Sequence, residues 1–454
     1  MTGKSQMSAF AGAQSYKTGD RRQLNNIREN CILPGRITYK PKPMCFSRLC
    51  QVLLVVMLFA CAKSHNNQPE DENEIIKNND AIKTIFITYP IYSPGGFTAI
   101  YYIAAYDVSG NLKWKKDSTR AAVDLTYAKG VLAIVTDSSF NTPNGTQYRY
   151  SLHGLNAETG NIMWSNQSSP YIHSNTIARN DTLFASCQLI TSPYTPFIIG
   201  FNLKTGAELF KIPVRDSLAP RFFMLDGRMI YYIARTQHGH SSIVAYDFKS
   251  NQEKWQVAVG VTSNGLLISS EIVQNDNCLF VTNGVGVLMA IEKSTGSVRW
   301  SKNGGYLQPR FGNNLIFSGE TRVGMHALDA KTGDPAWKWE TKDGNGLIES
   351  VFYGSGHVFF NYSGPGWILT TLNAKTGKAG WERPVRYGPG QPLLVGDKLY
   401  FAERLTPSGE LLCLDANTGA LLKSFPLPGD PHFDTRKMYI VTESGKFLAP
   451  DRLY

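Results

Sequence analysis

One short stretch recurs along the 454-residue chain, and that recurrence restricts the fold more than any other feature. Its clearest copy runs Leu328-Asp329-Ala330-Lys331-Thr332-Gly333 and reaches Trp337 four residues after the glycine. An apolar residue followed by Asp or Asn suits a strand entering a turn. Glycine takes positive φ at no steric cost, and the tryptophan belongs on the returning strand. Each copy therefore reads as a hairpin. Leu155-Asn156-Ala157-Glu158-Thr159-Gly160 reaches Trp164 in the same way, and Leu372-Asn373-Ala374-Lys375-Thr376-Gly377 reaches Trp381. Thr205-Gly206 leads to Phe210 and Thr295-Gly296 to Trp300. Thr418-Gly419 has Lys423 at the aromatic place and Phe425 two residues on. Two copies are degenerate: Asp107-Val108-Ser109-Gly110 leads to Trp114, and Asp247-Phe248-Lys249-Ser250-Asn251 leads to Trp255, with Asn at a position that tolerates left-handed backbone.

The turns fall at residues 110, 160, 206, 251, 296, 333, 377 and 419, separated by 50, 46, 45, 45, 37, 44 and 42 residues. A period near 44 suits a four-stranded propeller blade, and the 41 glycines and strand-like alternation argue against helical repeats of similar length. The spacing predicts an all-β, eight-bladed β-propeller of four-stranded antiparallel blades. Seven complete blades end near the aromatics. Residues 83–88 and 98–106 lead into the first turn as part of a blade, and residues 437–442 and 446–449 form strands with no turn after them. The two ends should combine into one composite closing blade that leaves no free edge, with one strand more than four accounted for. Trp114, Trp164, Phe210, Trp255, Trp300, Trp337 and Trp381 are expected to dock each blade on the next. In that place the indole N–H would donate to a backbone carbonyl of the neighbouring sheet.

Charge has to be located before it is interpreted. The formal net charge is +10, yet residues 1–60 hold nine Lys or Arg against Asp20 and Glu29, so only +3 remains for the rest. No basic stripe or RNA-binding aromatic motif accompanies it, which argues against nucleic acid as a partner. Residues 52–60, Val-Leu-Leu-Val-Val-Met-Leu-Phe-Ala, form an apolar run too short to span a bilayer comfortably, and they fit the core of a secretory signal. Leu58-Phe59-Ala60-Cys61 resembles a bacterial lipobox, so Cys61 is expected to carry lipid. The expected organisation is an upstream extension over 1–43, a lipoprotein signal over 44–60 beginning at Met44, a flexible polar tether over 61–81 and the propeller over 82–454. Cys187, Cys278 and Cys413 are too widely separated for a disulfide framework or a metal site, and core packing is expected for all three.

Chemical motifs are sparse. Asp107, Asp247, Asp329 and Asp415 occupy turn positions set by the repeat, where a carboxylate caps backbone N–H groups. His238-Gly239-His240 lacks a Cys or carboxylate at metal spacing, and residues 341–346 fall short of a calcium loop. No catalytic residue and no metal ligand is assigned. Three polar stretches, 137–147, 191–196 and 237–241, are read as loops that depart from the period. Tyr194 and Phe197 add apolar surface beside the second.

The repeat Leu-Asx-Ala-X-Thr-Gly with tryptophan four residues on resembles the pyrroloquinoline-quinone-type propeller family over most of residues 98–454. That family contains quinoprotein dehydrogenases as well as non-catalytic propellers. Joined to a lipobox, the chain looks most like the lipoprotein propellers of the outer-membrane barrel-assembly machinery. The resemblance implies a lipid-anchored scaffold in the bacterial envelope that binds a protein or another surface component, with no cofactor. The alternative it carries is a periplasmic quinoprotein dehydrogenase using pyrroloquinoline quinone with calcium, or another propeller enzyme. Such enzymes usually place the quinone under a ring made by two adjacent cysteines, and this chain has no adjacent cysteine pair.

Overall fold

The structure, a computed structural model, describes residues 81–448 apart from 93–98, 119–121, 143–144, 167–170, 190–194, 215–222, 236–239, 262–271, 321–322, 342–345, 364–365, 386–391, 404–408 and 428–436. The extension, the signal and Cys61 lie outside the described residues, as do His238, residues 342–345 and residues 191–194.

Every regular element among the described residues is a strand, and the strands form eight antiparallel sheets. Blades 1 to 7, in chain order, occupy residues 122–166, 171–213, 223–261, 273–303, 306–340, 348–385 and 393–427, with four strands each. First strands touch between blades 1 and 2, 4 and 5, and 5 and 6, so the first strands line the axis and the fourth strands form the circumference. Blade 8 is composite. Ile82–Tyr92, Ala99–Tyr106 and Leu112–Ser118 supply its outer three strands, and Lys437–Thr442 returns from the C-terminal side as the inner one, with Ile85 opposite Ile440 and Phe86 opposite Tyr439. The surplus strand foreseen from the sequence is Phe447–Leu448. It folds back through the turn at Ser444-Gly445 and adds a short fifth strand to this sheet.

A strand inside a blade packs on both faces, which is why its alternation of apolar and polar residues is weak. Ile85 and Ile87 pack toward blade 7, against Leu393, Tyr400 and Leu411, while Phe86 between them packs toward blade 1, against Leu125, Leu132 and Leu155. The same arrangement fills every joint. Each of the eight buried clusters draws on two neighbouring blades, and the eight joints close a ring. Closure removes the exposed sheet edges that an open array would leave at its two ends.

Two sequence expectations are corrected here. Residues 137–147 are not a loop: Val131–Thr142 and Gly145–Asn156 pair without interruption from Val131 opposite Asn156 to Thr142 opposite Gly145. The flanking strands stop earlier, at Ala122 opposite Thr136 and at Asn166 opposite Leu152. A two-stranded ribbon of six residue pairs, from Asp137 opposite Tyr150 outward, therefore extends beyond the sheet, for about 20 Å at the usual rise per residue. Polar composition suggested a loop, but Phe140, Thr142, Thr146, Tyr148 and Tyr150 have strand propensity, and pairing realises it. His240 likewise is not in a loop. It opens the strand His240–Asp247, opposite Val261.

Candidate functional site

The repeated unit builds one device at each joint, and its geometry starts at the Asx residue. In blade 5, Asp329 Oδ1 accepts from the backbone N–H of Lys331 at 2.9 Å and of Thr332 at 2.8 Å, while Gly333 N–H closes the turn on Asp329 O at 2.8 Å. Asn156, Asn202, Asn373 and Asp415 repeat the pattern, and Asp247 does so at 3.1 and 3.2 Å. Asp107 accepts from Ser109 and Asn111 instead, because its turn is one residue shorter. Hydrogen bonds from Asn111 and Ser109 hold the Asp107 carboxyl below its ordinary range, and those from Thr418 and Asn417 do the same for Asp415. These carboxylates are occupied by backbone, so they are not a free set of acids or bases.

Past the glycine, the returning strand carries a register shift in every blade, just before the aromatic position. In blade 5, Pro335 sits opposite Leu328 and Trp337 opposite Ala327, so Ala336 is the extra residue of a β-bulge. A bulge re-aims the side chain that follows it, here the indole. That ring needs room on its own sheet. A Cβ on Gly154 would lie 2.2 Å from Trp164, and one on Gly200 would lie 2.3 Å from Phe210. The small residue opposite the aromatic, Ala105, Gly154, Gly200, Ala245, Ala290 or Ala327, is the part of the device that the sequence reading missed. Its signal was present as an Ala or Gly two positions before the Asx or Glu at six of the eight turns, with Thr371 and Cys413 at the other two.

The aromatic then crosses to the next blade. Trp114, Trp164, Trp255, Trp300, Trp337 and Trp381 donate their indole N–H to the carbonyls of Ala157, Leu203, Lys293, Ala330, Ala374 and Ala416, at 2.8–3.1 Å. Each ring lies flat over the turn glycine of that next blade. A Cβ atom on Gly160, Gly206, Gly296, Gly333, Gly377 or Gly419 would fall 2.4–2.7 Å from ring carbons. Glycine at the turn is thus required twice, by its positive φ and by the indole above it.

Two joints use other chemistry. Between blades 2 and 3, Phe210 offers no donor, and its ring stacks on Phe248 at 6.0 Å between centroids and 9° between planes. Phe248 stands where the other turns have Ala, Leu, Lys or Val. The turn residue beneath is Asn251, with φ 54°, and its side chain accepts from Tyr246 Oη–H at 2.6 Å. Between blades 7 and 8 the role is divided: Lys423 Nζ donates to Val108 O at 3.4 Å, and Phe425 supplies the ring that approaches Gly110. On the other side of blade 8, Glu158 of blade 1 binds Lys83 at 2.7 Å and Lys113 at 2.8 Å. Those two lysines hold the Glu158 carboxyl below its ordinary range.

Cys187, Cys278 and Cys413 sit in three different blades, buried and not joined in disulfides. Burial pushes the thiols of Cys187, Cys278 and Cys413 up, away from the thiolate. No group of three or more His, Cys, Asp or Glu that could hold a metal ion occurs among the described residues.

A closed ring of four-stranded blades, most of them pinned to the next by an Asx–Gly turn and an aromatic, defines a β-propeller built on the PQQ-like repeat. The family model described as "Outer membrane protein assembly factor BamB" matches residues 183–305 and 239–452, together more than half of the chain, and the chain belongs to that family. The Legionella pneumophila (strain Paris) protein named outer membrane protein assembly factor BamB is 24% identical over 206 residues, covering 41% of this chain and 51% of that protein. The Francisella salina protein of the same name is 26% identical over 116 residues, covering 25% of this chain and 21% of that protein. The aligned part is thus about half the length of the first relative and about a fifth of the second. Among solved structures, the computationally designed Ika8 protein superposes with a TM-score of 0.52 at 12% identity, over 73% of this chain and 96% of that one, a likeness of fold alone.

Proposed function

We propose that the chain is a lipid-anchored, non-catalytic propeller of the bacterial envelope that holds an envelope protein during the assembly of outer-membrane proteins. The family match over residues 183–452 carries this reading, supported by two relatives that are both named outer membrane protein assembly factors. Cys61, closing the apolar run 52–60, supplies the anchor at the outer membrane. The eight joints are devoted to holding the ring rigid, so recognition falls to parts outside the repeat. Chief among them is the ribbon of blade 1. It joins the second and third strands and so extends from the face opposite the Asx–Gly turns, with backbone edges that an extended segment of a partner can pair with. No quinone or metal takes part.

The test is a crosslinking pull-down from native envelopes, run with the native chain and with a variant whose residues 137–147 are replaced by a short glycine-containing turn. The native chain should capture a protein of the barrel-assembly apparatus, and the shortened variant should lose it while keeping its melting temperature. A purified chain that binds pyrroloquinoline quinone in the presence of calcium and reduces a dye with an alcohol would establish the enzyme reading instead.

A further inference from the structure

The outer circumference of the ring is not uniform. Immediately before each aromatic, two residues of the fourth strand stand at the edge beside the Asx–Gly turn, and one of them is the bulged residue. In blades 7, 8, 1 and 2, which are consecutive around the ring, these places hold large apolar side chains left in water: Leu421 and Leu422, Leu112, Ile162 and Met163, and Leu209, each about half exposed at 47–53%. In blades 3, 5 and 6 the same places hold Glu253 and Lys254, Pro335 and Ala336, and Ala379 and Gly380. Blade 4 has Val298 beside Arg299. The repeat therefore does not require apolar residues here, and half of the ring carries them together. Half-exposed apolar groups that recur over four adjacent blades mark an interaction surface.

Position and charge say what covers it. The sector is centred on blade 8, and the chain enters blade 8 at Ile82, at the same end of the sheet as the turn at Asp107. The 80 residues before the described ring, with the apolar run 52–60 among them, therefore join at this rim and not at the opposite face with the ribbon. Lysines flank the apolar residues: Lys115 and Lys116 follow Leu112, while Lys113 and Lys423 are already held by Glu158 and by the Val108 carbonyl. Of the neighbouring acids, Glu158 is neutralised by Lys83 and Lys113, Asp107 is occupied by its turn, and Glu208 pairs with Lys211 at 3.2 Å, while Asp117 and Glu443 also lie on blade 8. Leucine, isoleucine and methionine set among lysines, beside the point where a membrane tether would join, match the interface of an anionic bilayer.

We infer that the turn-face rim of blades 7, 8, 1 and 2 docks on an anionic lipid surface, so that the propeller lies against the membrane with its ribbon pointing away. The inference rests on the proposed anchoring of the chain. The full chain, reconstituted into phosphatidylcholine vesicles with or without phosphatidylglycerol, is followed by backbone hydrogen exchange. Docking predicts slowed exchange at residues 111–116, 161–166, 208–211 and 420–424 on the anionic vesicles, weakened by high salt, with blades 3, 5 and 6 unchanged. A variant combining Leu112→Ser, Ile162→Ser, Leu421→Ser and Leu422→Ser should lose this protection while remaining in the vesicle fraction. Should that variant fail to fold, Lys115→Glu with Lys116→Glu leaves the apolar residues in place and should lose the protection on anionic vesicles. Equal exchange of the rim with and without phosphatidylglycerol overturns the inference. So does protection that appears without lipid and grows with protein concentration, which assigns the rim to a second copy of the chain. Membrane fractionation of a Cys61→Ser chain reads the anchor alone, so anchor and rim fail separately.

Discussion

Placing a methyl group on Gly377 tests the turn-and-indole device directly. Gly377 has φ +69°, and a Cβ built there falls 2.6 Å from Cδ2 and 2.7 Å from Cε3 of Trp337. Gly356 lies in the same blade with φ +72° and nothing within 4 Å of its Cβ position. Both alanine variants incur the left-handed backbone cost of about 1–2 kcal/mol. Only Gly377→Ala must also displace a ring held by its N–H on Ala374 O and packed on Phe317, which adds about 1–3 kcal/mol as overpacking. Urea unfolding followed by circular dichroism should show Gly377→Ala destabilised by about 2–5 kcal/mol and Gly356→Ala by about 1–2. In a Trp337→Ala background, itself about 3–5 kcal/mol less stable, the cost of Gly377→Ala should shrink to that of Gly356→Ala. Equal costs for the two glycines, or a Gly377 cost that persists without the indole, refutes the account of why glycine occupies this turn.

Three further outcomes follow from the same geometry and from the proposed anchor. Removing residues 428–454 takes away Lys437–Thr442 and leaves Ile85, Phe86 and Ile87 without the strand that pairs with them, so the truncated chain should melt at a lower temperature and associate through its open edge; a monomer with the native melting curve contradicts ring closure. Glu158 is held below its ordinary range by Lys113 and Lys83, so its stabilisation is present above the unfolded carboxylate value near pH ~4.3 and is lost as pH falls through the folded value. Relative to Glu158→Gln, the native chain should therefore lose its advantage on acidification, by less than about 1 kcal/mol because the pair is half exposed, and an advantage that grows in acid contradicts the ion pair. Cys61→Ser should release the folded propeller from the membrane fraction, and unchanged membrane association with no loss of lipid mass contradicts the anchor.

Much of the ring was legible because each blade repeats a local rule. An Asx capping two N–H groups, a glycine at positive φ and a tryptophan four residues later are decided by neighbours within a dozen residues, so they recur in sequence and can be counted. The count of eight and the completion of the last blade by both ends followed from spacing alone. The joint between blades 2 and 3 shows where this stopped. Phe210 and Phe248 are 38 residues apart, and only the packed ring reveals that they stack on each other in place of an indole and a carbonyl. Lys423 and Val108 are separated by 315 residues and meet only because the ends of the chain close the ring.

The amino-acid sequence by itself determined the blade, its period and the identity of the turn, because those depend on backbone preferences and short-range hydrogen bonds. Only the tertiary structure decided which face each strand residue takes, since Ile85 and Phe86 are equally apolar and are sorted solely by which neighbouring blade lies on which side. It also decided that residues 137–142 and 145–150 form a paired ribbon, because polar residues with strand propensity become a strand only when a partner supplies the ladder. The apolar sector of the rim belongs to the same class of fact. Leu112, Ile162 and Leu421 are scattered in the chain, and the ring's closure brings blades 7, 8, 1 and 2 side by side.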